Sequence, residues 1–276
     1  MTKTSVSIVL YENPTTDIFS CIQSLEKTNI ETIYIVDNSP TEDLKKICSK
    51  YLSVNYIHNP TNPGYGAGHN IAIEKSIQSG FDYHLVINAD IYFETDIIKD
   101  IAQYLNDNPT IGALMPKVIY PSGKHQELCK FIPTPFDLFA RRFFPKPLRE
   151  MNERKFKMMN YDRSQILWVP YLSCCFMFLR NKALKDVGLF DERFFMYPED
   201  IDLSRRMACL YDTIYFPSVT VVHKHEQASR KSYRMLIIHA WNMIKYFNKW
   251  GWFLDNNRTL INSRVKIKNK KWRMHE

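Results

Sequence analysis

The sequence predicts an α/β fold in which helices wrap a mostly parallel sheet, and two observations predict it. Short runs rich in β-branched residues alternate with segments of helical periodicity between Ser5 and Ile87, as in a series of β-α-β units. Hydrophobic residues make up 45% of the 276 residues, which is enough for one large domain with a sizeable core.

Strands and helices alternate in chain order. The first strands are predicted at 5–10, 33–36, 54–57 and 83–87. Apolar residues at helical spacing predict helices between them, at 18–25, 44–52 and 71–77. Another helix is predicted at 96–106, and further strands at 111–115, 169–180 and 213–222. A last apolar stripe predicts a helix that covers the core: Met235, Ile238, Trp241, Ile244 and Trp250.

Polar residues stand just after the predicted strands. Asn13, Asp37, Asn62 and Asp90 each follow one of the first four strands. The carboxyl ends of parallel strands meet at one edge of a sheet, where ligands bind in such folds. We therefore expect these side chains to converge on one site.

The net charge of +8 indicates an anionic partner, such as a nucleotide, a nucleic acid or a membrane surface. The basic surplus is concentrated at the C-terminus, in RVKIKNKKWRMHE. No run reaches the ~18 apolar residues of a membrane-spanning helix, and the N-terminus lacks the pattern of a signal peptide. The six cysteines lack metal-type spacing, so a cytoplasmic protein with reduced thiols is expected.

The segment 131–164 is an irregular insert with short helices, in which prolines and basic pairs interrupt an aromatic-rich run. Two interpretations stay open. It is either a surface loop packed on its own aromatic residues, or a basic, apolar lip beside a site that meets a membrane or a lipid-linked substrate.

Asp37 and the glycine run after the third strand also have two interpretations each. Asp37 either caps the following helix or accepts hydrogen bonds from a bound base or ribose. The run from Asn62 to Asn70 fails the G-x-G-x-x-G pattern because residue 69 is His. Its glycines let the backbone approach a ligand closely, or let a helix pack tightly on the sheet.

Asn88 and Asp90 lie two residues apart, on the same side of a strand end. Mg²⁺ or Mn²⁺ bound to a diphosphate needs only one or two protein carboxylates, and His223 can complete the shell. A zinc site from His223 and His225 lacks further Cys or His partners at suitable spacing. Ordinary surface histidines are the alternative.

The densest acidic cluster is Tyr197-Pro198-Glu199-Asp200-Ile201-Asp202. Acidic residues after a proline are an ordinary helix start. A carboxylate here can also act as a general base, with its pKa raised by burial beside Phe194 and Phe195.

Six segments, in order along the chain, resemble the family 2 glycosyltransferases of the bacterial polysaccharide, rhamnosyltransferase-like branch. These segments are SIVLYENP, IYIVDNSP, NPTNPGYGAGHN, INAD, GLFDERFFMYPEDIDLSRR and VVHKHEQASRKS. INAD stands where the family has Asn-Pro-Asp or Asp-x-Asp. Here Ala89 replaces the common proline, and Asn88 takes the place of an acid, which predicts weaker metal binding.

The resemblance implies a Rossmann-like glycosyltransferase A-type fold with a C-terminal helical extension. It also implies inverting transfer of a sugar from a UDP-, dTDP- or GDP-linked donor. Asp200 and Glu199 would be catalytic, and Asp90 and His223 would hold Mg²⁺ or Mn²⁺. Donor binding is implied for a larger set: Tyr11, Asp37, Asn38, Asn62, Gly64, Gly66, Asn70, Asn88 and Asp90.

The implied organisation is a catalytic domain over 1–230, followed by a C-terminal helix and basic tail over 231–276. The domain divides into a nucleotide-binding half (1–115), the insert (116–165) and an acceptor and catalytic half (166–230). The acceptor would be a lipid-linked oligosaccharide in O-antigen or capsule synthesis. The enzyme would then lie peripherally on the anionic inner face of the cell membrane.

Three rival classes make different predictions. A sugar nucleotidyltransferase would carry a glycine-rich, basic phosphate loop after the first strand, whereas the turn here is YENPTTD. A nucleic-acid-binding protein would cluster its basic residues away from carboxylates, whereas Asp37, Asp90 and Asp200 would repel phosphate unless a metal intervened. A non-catalytic sugar-binding relative stays open until activity is measured.

Overall fold

The computed structural model of the chain describes residues 2–224 and 233–272, which form a single sheet flanked by helices. The strands are β1 (Thr4–Leu10), β2 (Thr32–Asp37), β3 (Val54–His58), β4 (Tyr83–Ile87), β5 (Ile91–Tyr92), β6 (Ile111–Ile119), β7 (Leu167–Trp168), β8 (Phe176–Arg180) and β9 (Asp212–His223). The helices are α1 (Thr15–Glu26), α2 (Lys45–Cys48), α3 (Tyr65–Gln78), α4 (Ile97–Asp107), α5 (Pro135–Phe143), α6 (Lys146–Phe156), α7 (Asn181–Val187), α8 (Pro198–Leu210), α9 (Tyr233–Trp250) and α10 (Asn256–Trp272).

The order of the strands creates the crevice in which the polar strand ends lie. The order is β3-β2-β1-β4-β8-β6-β9-β5, and β7 also pairs with β9. β3, β2, β1 and β4 are parallel, as are β6 and β9, whereas β8, β5 and β7 are antiparallel to their neighbours. The chain leaves β1 towards β2 and returns on its other side as β4, so a ligand crevice opens beyond the carboxyl ends of these strands. The predicted mostly parallel sheet is confirmed.

The central strands are apolar along their whole length because helices cover both faces of the sheet. β1, β2 and β4 are almost completely buried, as expected of parallel strands in such a layer. Helix α1 presents Ile18, Ile22 and Leu25 to this core, which confirms its predicted stripe. Each such side chain contributes about 1.5–3 kcal/mol by leaving water.

Helix α9 covers the core as predicted, but mainly through a different face from the predicted stripe, of which Trp250 packs against the core. The buried residues of this helix are Asn242, Met243, Tyr246 and Phe247, and none of residues 233–241 is buried. Asn242 donates to the Met196 carbonyl at 3.0 Å, which turns a different face of the helix inward.

Much of the predicted basic tail is helix α10, which packs on the sheet. The side-chain amide of Asn262 bonds both the N–H and the carbonyl of Ile132, each at 3.0 Å. Asn269, two turns on, pairs with Trp168 in the same way, at 2.7 and 3.1 Å. Residues 273–276 of the predicted tail lie outside the described residues. None of the helices in the described ranges is both long and apolar enough to cross a bilayer.

Candidate active site

Asp37 and Asn38, at the end of β2, fasten the loop that follows β3. The buried Asp37 carboxylate accepts the Tyr56 hydroxyl at 2.6 Å and the Ser39 N–H at 2.9 Å. Asn38 donates to the Gly64 carbonyl at 3.3 Å. The helix-cap interpretation of Asp37 is wrong, because the next helix begins only at residue 45. A contact between Asp37 and a base stays a prediction.

Most of the glycine-containing run from Asn62 to Asn70 lies in helix α3, which begins at residue 65, and Gly64 directly precedes the helix. Gly64 has a φ of +111°, and a Cβ there would lie 2.3 Å from the Phe195 carbonyl oxygen. A Cβ on Gly66 would meet the Cβ atoms of Phe190 and Glu199 at 3.0 and 3.3 Å. The glycines therefore permit tight packing of the helix, which is the second of the two interpretations.

Asn70, predicted to bind the donor, is buried and occupied by another contact. Its side-chain amide bonds both the carbonyl and the N–H of Phe190, at 2.9 and 3.0 Å. Asn70 and Gly66 thus position the segment 190–199, which leads to Asp200, and this geometry offers no support for their contact with a donor. Tyr11 and Asn62 remain accessible at the rim, 50% exposed and partly buried respectively.

Asp90 and His223 face each other where β4 and β9 end. His223 Nε2 lies 3.3 Å from Asp90 Oδ1, and His223 Nδ1 lies 3.0 Å from Gln126 Oε1. Burial lowers the pKa of His223, but the hydrogen bonds with Asp90 and Cys175 outweigh it and bring that pKa to about 10. A metal bound here must therefore displace a proton.

These residues fit a divalent cation as the predicted pair of ligands. Gln126 orients the histidine through its other ring nitrogen, as partners of metal-ligating histidines do. Within residues 2–224 and 233–272, no group of three or more His, Cys, Asp or Glu could hold a metal by itself. The remaining ligands would thus come from diphosphate and water, which is how Mg²⁺ is usually bound. His225, of the zinc alternative, and residues 225–232 of the last resembling segment lie outside the described residues.

Asn88 joins this pair to the other side of the crevice. Its Oδ1 accepts the Tyr65 hydroxyl at 2.7 Å, and the same hydroxyl lies 2.9 Å from the Cys174 carbonyl. Its backbone N–H donates to the Cys175 carbonyl at 2.9 Å. Tyr65 therefore links the strand end at Asn88 to the segment that runs beside Asp200.

The acidic cluster at the start of α8 divides into three different environments. Asp200 is partly exposed, Glu199 is buried, and Asp202 is completely buried. Asp202 accepts Lys249 and the Trp250 indole at 2.6 and 2.7 Å, which attaches α9.

Asp200 and Glu199 differ in their titration. Burial raises the pKa of Asp200 to about 6, although Lys130 and hydrogen bonds from Ile201 and Tyr171 lower it. Burial, and then the charge of Asp200, raise the pKa of Glu199 well above its ordinary value. These shifts favour the protonated form of Glu199, and Asp200, which is the more exposed of the two and has a pKa of about 6, is the more available base at neutral pH.

Two residues that the sequence did not single out approach Asp200 from the insert and from the segment before β8. The Tyr171 hydroxyl donates to Asp200 Oδ2 at 3.2 Å. Lys130 Nζ lies 4.7 Å from the centre of the Tyr171 ring. Neither residue belongs to a pattern that would mark it in advance, because only the fold brings them to α8.

The family model for glycosyl transferase family 2 matches residues 5–188 of the chain. The chain belongs to this family. Its relatives include an N-acetylglucosaminyl-diphospho-decaprenol L-rhamnosyltransferase of Mycobacterium tuberculosis, 26% identical over 234 residues, covering 79% of this glycosyltransferase and 74% of the relative. The rhamnosyltransferase WbbL of Escherichia coli K12 is 26% identical over 252 residues, covering 83% and 84%. The chain is thus a family 2 glycosyltransferase of the rhamnosyltransferase-like branch.

Solved structures similar to this glycosyltransferase confirm the predicted glycosyltransferase A-type fold. GalNAc-T7 with UDP, GalNAc and Mn²⁺ has a TM-score of 0.60 at 14% identity, over 80% of this chain and 43% of that one. The mannosyltransferase PcManGT from Pyrobaculum calidifontis, in complex with GDP-Man and Mn²⁺, has a TM-score of 0.58 at 15% identity, over 90% and 63%. This glycosyltransferase therefore spans less than half of the GalNAc-T7 chain.

Proposed function

We propose that this glycosyltransferase transfers a sugar, with inversion, from a nucleoside diphosphate donor to a hydroxyl of a lipid-linked oligosaccharide. Rhamnose is the first sugar to test, and synthesis of a surface polysaccharide such as O-antigen or capsule is the context. The observation that carries the proposal is a partly exposed Asp200 carboxylate that the backbone of Cys174 and the hydroxyl of Tyr65 link to Asn88, two residues before Asp90 of the Asp90–His223 pair. Both relatives are named as rhamnosyltransferases, which supports the choice of sugar, and the name of the mycobacterial relative includes a lipid diphosphate.

Asp200 is the general base in this proposal. Its carboxylate takes the proton from the acceptor hydroxyl while the hydroxyl oxygen bonds to the anomeric carbon. The bond from that carbon to the diphosphate breaks in the same displacement, so the configuration inverts and the proton ends on Asp200. The Tyr171 hydroxyl holds Oδ2 of this carboxylate in place.

The proposed donor site lies across the crevice. Asp90 and His223 would hold Mg²⁺ or Mn²⁺, which supplies positive charge to the departing diphosphate. Tyr11, Asp37 and Asn38 lie where the nucleoside would bind, at the ends of β1 and β2. Asn62 and Gly64 border the same end through the loop after β3.

The proposal is tested with a panel of UDP-, dTDP- and GDP-sugars and an N-acetylglucosaminyl-diphospho-lipid acceptor, with Mg²⁺, with Mn²⁺ or with EDTA. We expect one donor class to give product with inverted configuration, and only when a divalent cation is present. Absence of transfer from the whole panel to this acceptor would reject the proposed acceptor, and retention of configuration would reject Asp200 as the base.

Asp90→Asn should weaken Mn²⁺-dependent binding of a nucleoside diphosphate by at least about 10-fold. Removing only a partner of a metal ligand typically costs about 10–100-fold in affinity, so loss of a ligand charge should cost no less. Calorimetric titration with and without Mn²⁺ measures this, and Asp107→Asn, at an exposed position at the end of α4, is the matched control. Equal Mn²⁺ dependence in both variants would remove Asp90 from the metal site.

Lys130→Met should move the acidic limb of the pH–rate profile to higher pH by about one unit, because the Lys130 charge lowers the pKa of Asp200. In the unmodified enzyme, the rate should rise with pH through about 6 as the base ionises. Lys130→Arg should restore the profile, and exposed Lys124→Met should leave it unchanged. An unshifted limb in Lys130→Met would show that this charge does not act on the base.

A further inference from the structure

The first half of α9 carries an apolar surface that the rest of the described chain leaves largely exposed. Residues 233–241 read YRMLIIHAW, and none of them is buried. The large exposed side chains of this half and the turn that follows it are Tyr233 (86%), Leu236 (41%), Ile237 (66%), Trp241 (59%) and Ile244 (38%). Such a contiguous apolar surface normally marks an interaction site.

A second apolar surface lies on the helical hairpin of α5 and α6. Phe136, Phe139 and Phe143, at helical spacing on α5, are each more than half exposed. Leu148 and Met151 of α6 are exposed to 47% and 65%. The aromatic rings contact one another, as between Phe139 and Phe143 at 4.6 Å, but these contacts leave most of their surface open.

Both surfaces are connected to the surroundings of Asp200 by contacts of neighbouring residues. On the side of α9, the ring of His239 lies 4.7 Å from the ring of Tyr197. Tyr197 directly precedes α8, the helix that contains Asp200. On the side of α5, Lys130 lies over the ring of Tyr171, whose hydroxyl donates to Asp200. Only four residues separate Lys130 from the start of α5. Each apolar helix therefore adjoins a segment that contacts or leads to Asp200.

The charge of these helices selects the partner. Helix α9 contains three Lys or Arg and no Asp or Glu, and the hairpin of residues 135–156 contains six Lys or Arg and three Asp or Glu. Aromatic and aliphatic side chains flanked by cations suit the interface of an anionic bilayer, where the rings enter the headgroup region and the cations meet the phosphates.

We propose that the first half of α9 and the exposed face of α5 together dock this enzyme on an anionic lipid leaflet. In this position the lipid chain of the acceptor stays in the membrane while its sugar reaches Asp200. The sequence suggests membrane attachment through the insert and the basic tail, and most of that tail is α10, whose Lys268 pairs with Asp212 at 2.7 Å. The role in catalysis rests on the proposed lipid-linked acceptor, whereas the docking itself does not.

The test is flotation of the full chain with vesicles of phosphatidylglycerol and phosphatidylcholine, without any donor or acceptor. We expect Ile237→Glu combined with Trp241→Glu to lower the bound fraction at least about 10-fold, because a carboxylate resists entry into the apolar layer. Leu52→Glu and Leu210→Glu, which charge leucines elsewhere that are at least as exposed, should bind as the unmodified chain does. Phe139→Glu should give an intermediate loss.

A second readout locates the contact on α9. Lipids brominated in their acyl chains should quench tryptophan fluorescence in the unmodified chain, and most of this quenching should disappear in Trp241→Phe. Thermal melting checks that each variant is folded. The exposed position of the altered side chains predicts unchanged melting.

Four outcomes would overturn the proposal. The first two are failure of the unmodified chain to float and equal flotation of the α9 and control variants. The third is binding to vesicles of phosphatidylcholine alone that equals binding to the vesicles with phosphatidylglycerol. The fourth is a dimer that does not bind vesicles and that the α9 substitutions dissociate. Loss of transfer to the lipid acceptor with normal flotation would count against the proposed function alone. Normal transfer to a water-soluble acceptor by the α9 variant would show that the active site is intact.

Discussion

Asp200→Asn should lower turnover by about 10²–10⁴-fold and leave the affinity for the donor unchanged, because general base catalysis contributes on that scale. The amide keeps the shape of the side chain, and it can still receive the Tyr171 hydroxyl that lies 3.2 Å from Asp200. What it loses is the ability to take the proton from the acceptor. Single-turnover rates and donor titrations on the same preparation separate the two effects.

Glu199→Gln supplies the matched comparison from the neighbouring residue. The Glu199 carboxyl is buried and its pKa is raised well above the ordinary value by burial and by Asp200, which favours its neutral form. Its replacement by a neutral amide should therefore keep the rate within about 10-fold, well short of the loss expected for a general base. A loss of about 10²–10⁴-fold in Glu199→Gln, with Asp200→Asn near normal, would assign the base to Glu199.

The strand ends could be predicted from the sequence because a buried parallel strand is a short apolar run with a sharp polar end. Asp37, Asn88 and Asp90 stand at or just beyond such ends in the structure, as predicted. Local pattern is sufficient here, since the parallel arrangement brings those ends together without further information.

The glycine run and the α9 stripe show where local pattern fails. Whether Gly64 and Gly66 serve a ligand or a packed helix depends on Phe195 and Phe190, which only the tertiary structure brings close. An apolar stripe identifies one face of a helix but does not show whether another part of the chain covers that face. The sequence could therefore predict that Trp241 lies on a helix, but it could not predict that Trp241 is exposed.

Polar contacts between distant segments were also beyond prediction. Ser7 Oγ bridges the buried rings of His69 and His84, at 2.6 and 2.7 Å, in a network that no spacing in the sequence indicates. The same holds for Gln126, which lies 97 residues before its partner His223.

Asp255→Ala should lower the free energy of unfolding by about 3–5 kcal/mol at neutral pH, because it leaves the Arg205 guanidinium buried without its carboxylate. Arg205 and Asp255 are completely buried, and Arg205 Nη1 lies 2.7 Å from Asp255 Oδ2. Arg205 also lies 4.0 Å from the centre of the Trp250 ring, so the pair joins α8 to both C-terminal helices. Urea denaturation measures the loss. Arg193→Ala, which breaks an exposed pair with Asp191, should cost at most about 1 kcal/mol.

The pH dependence of this loss distinguishes an ion pair from simple packing. Burial alone would raise the pKa of Asp255, but Arg205 outweighs it and holds that pKa below its ordinary value in the folded protein. A group whose pKa is lowered by folding stabilises the fold above its unfolded pKa, about 4 for Asp, and loses that contribution as the pH falls through the folded pKa. The difference in stability between the unmodified chain and Asp255→Ala should therefore narrow as the pH is lowered from 7 towards 3. A difference that stays constant over this range would mean that Asp255 acts through packing and its hydrogen bond to the Arg258 N–H, and not through the charge of Arg205.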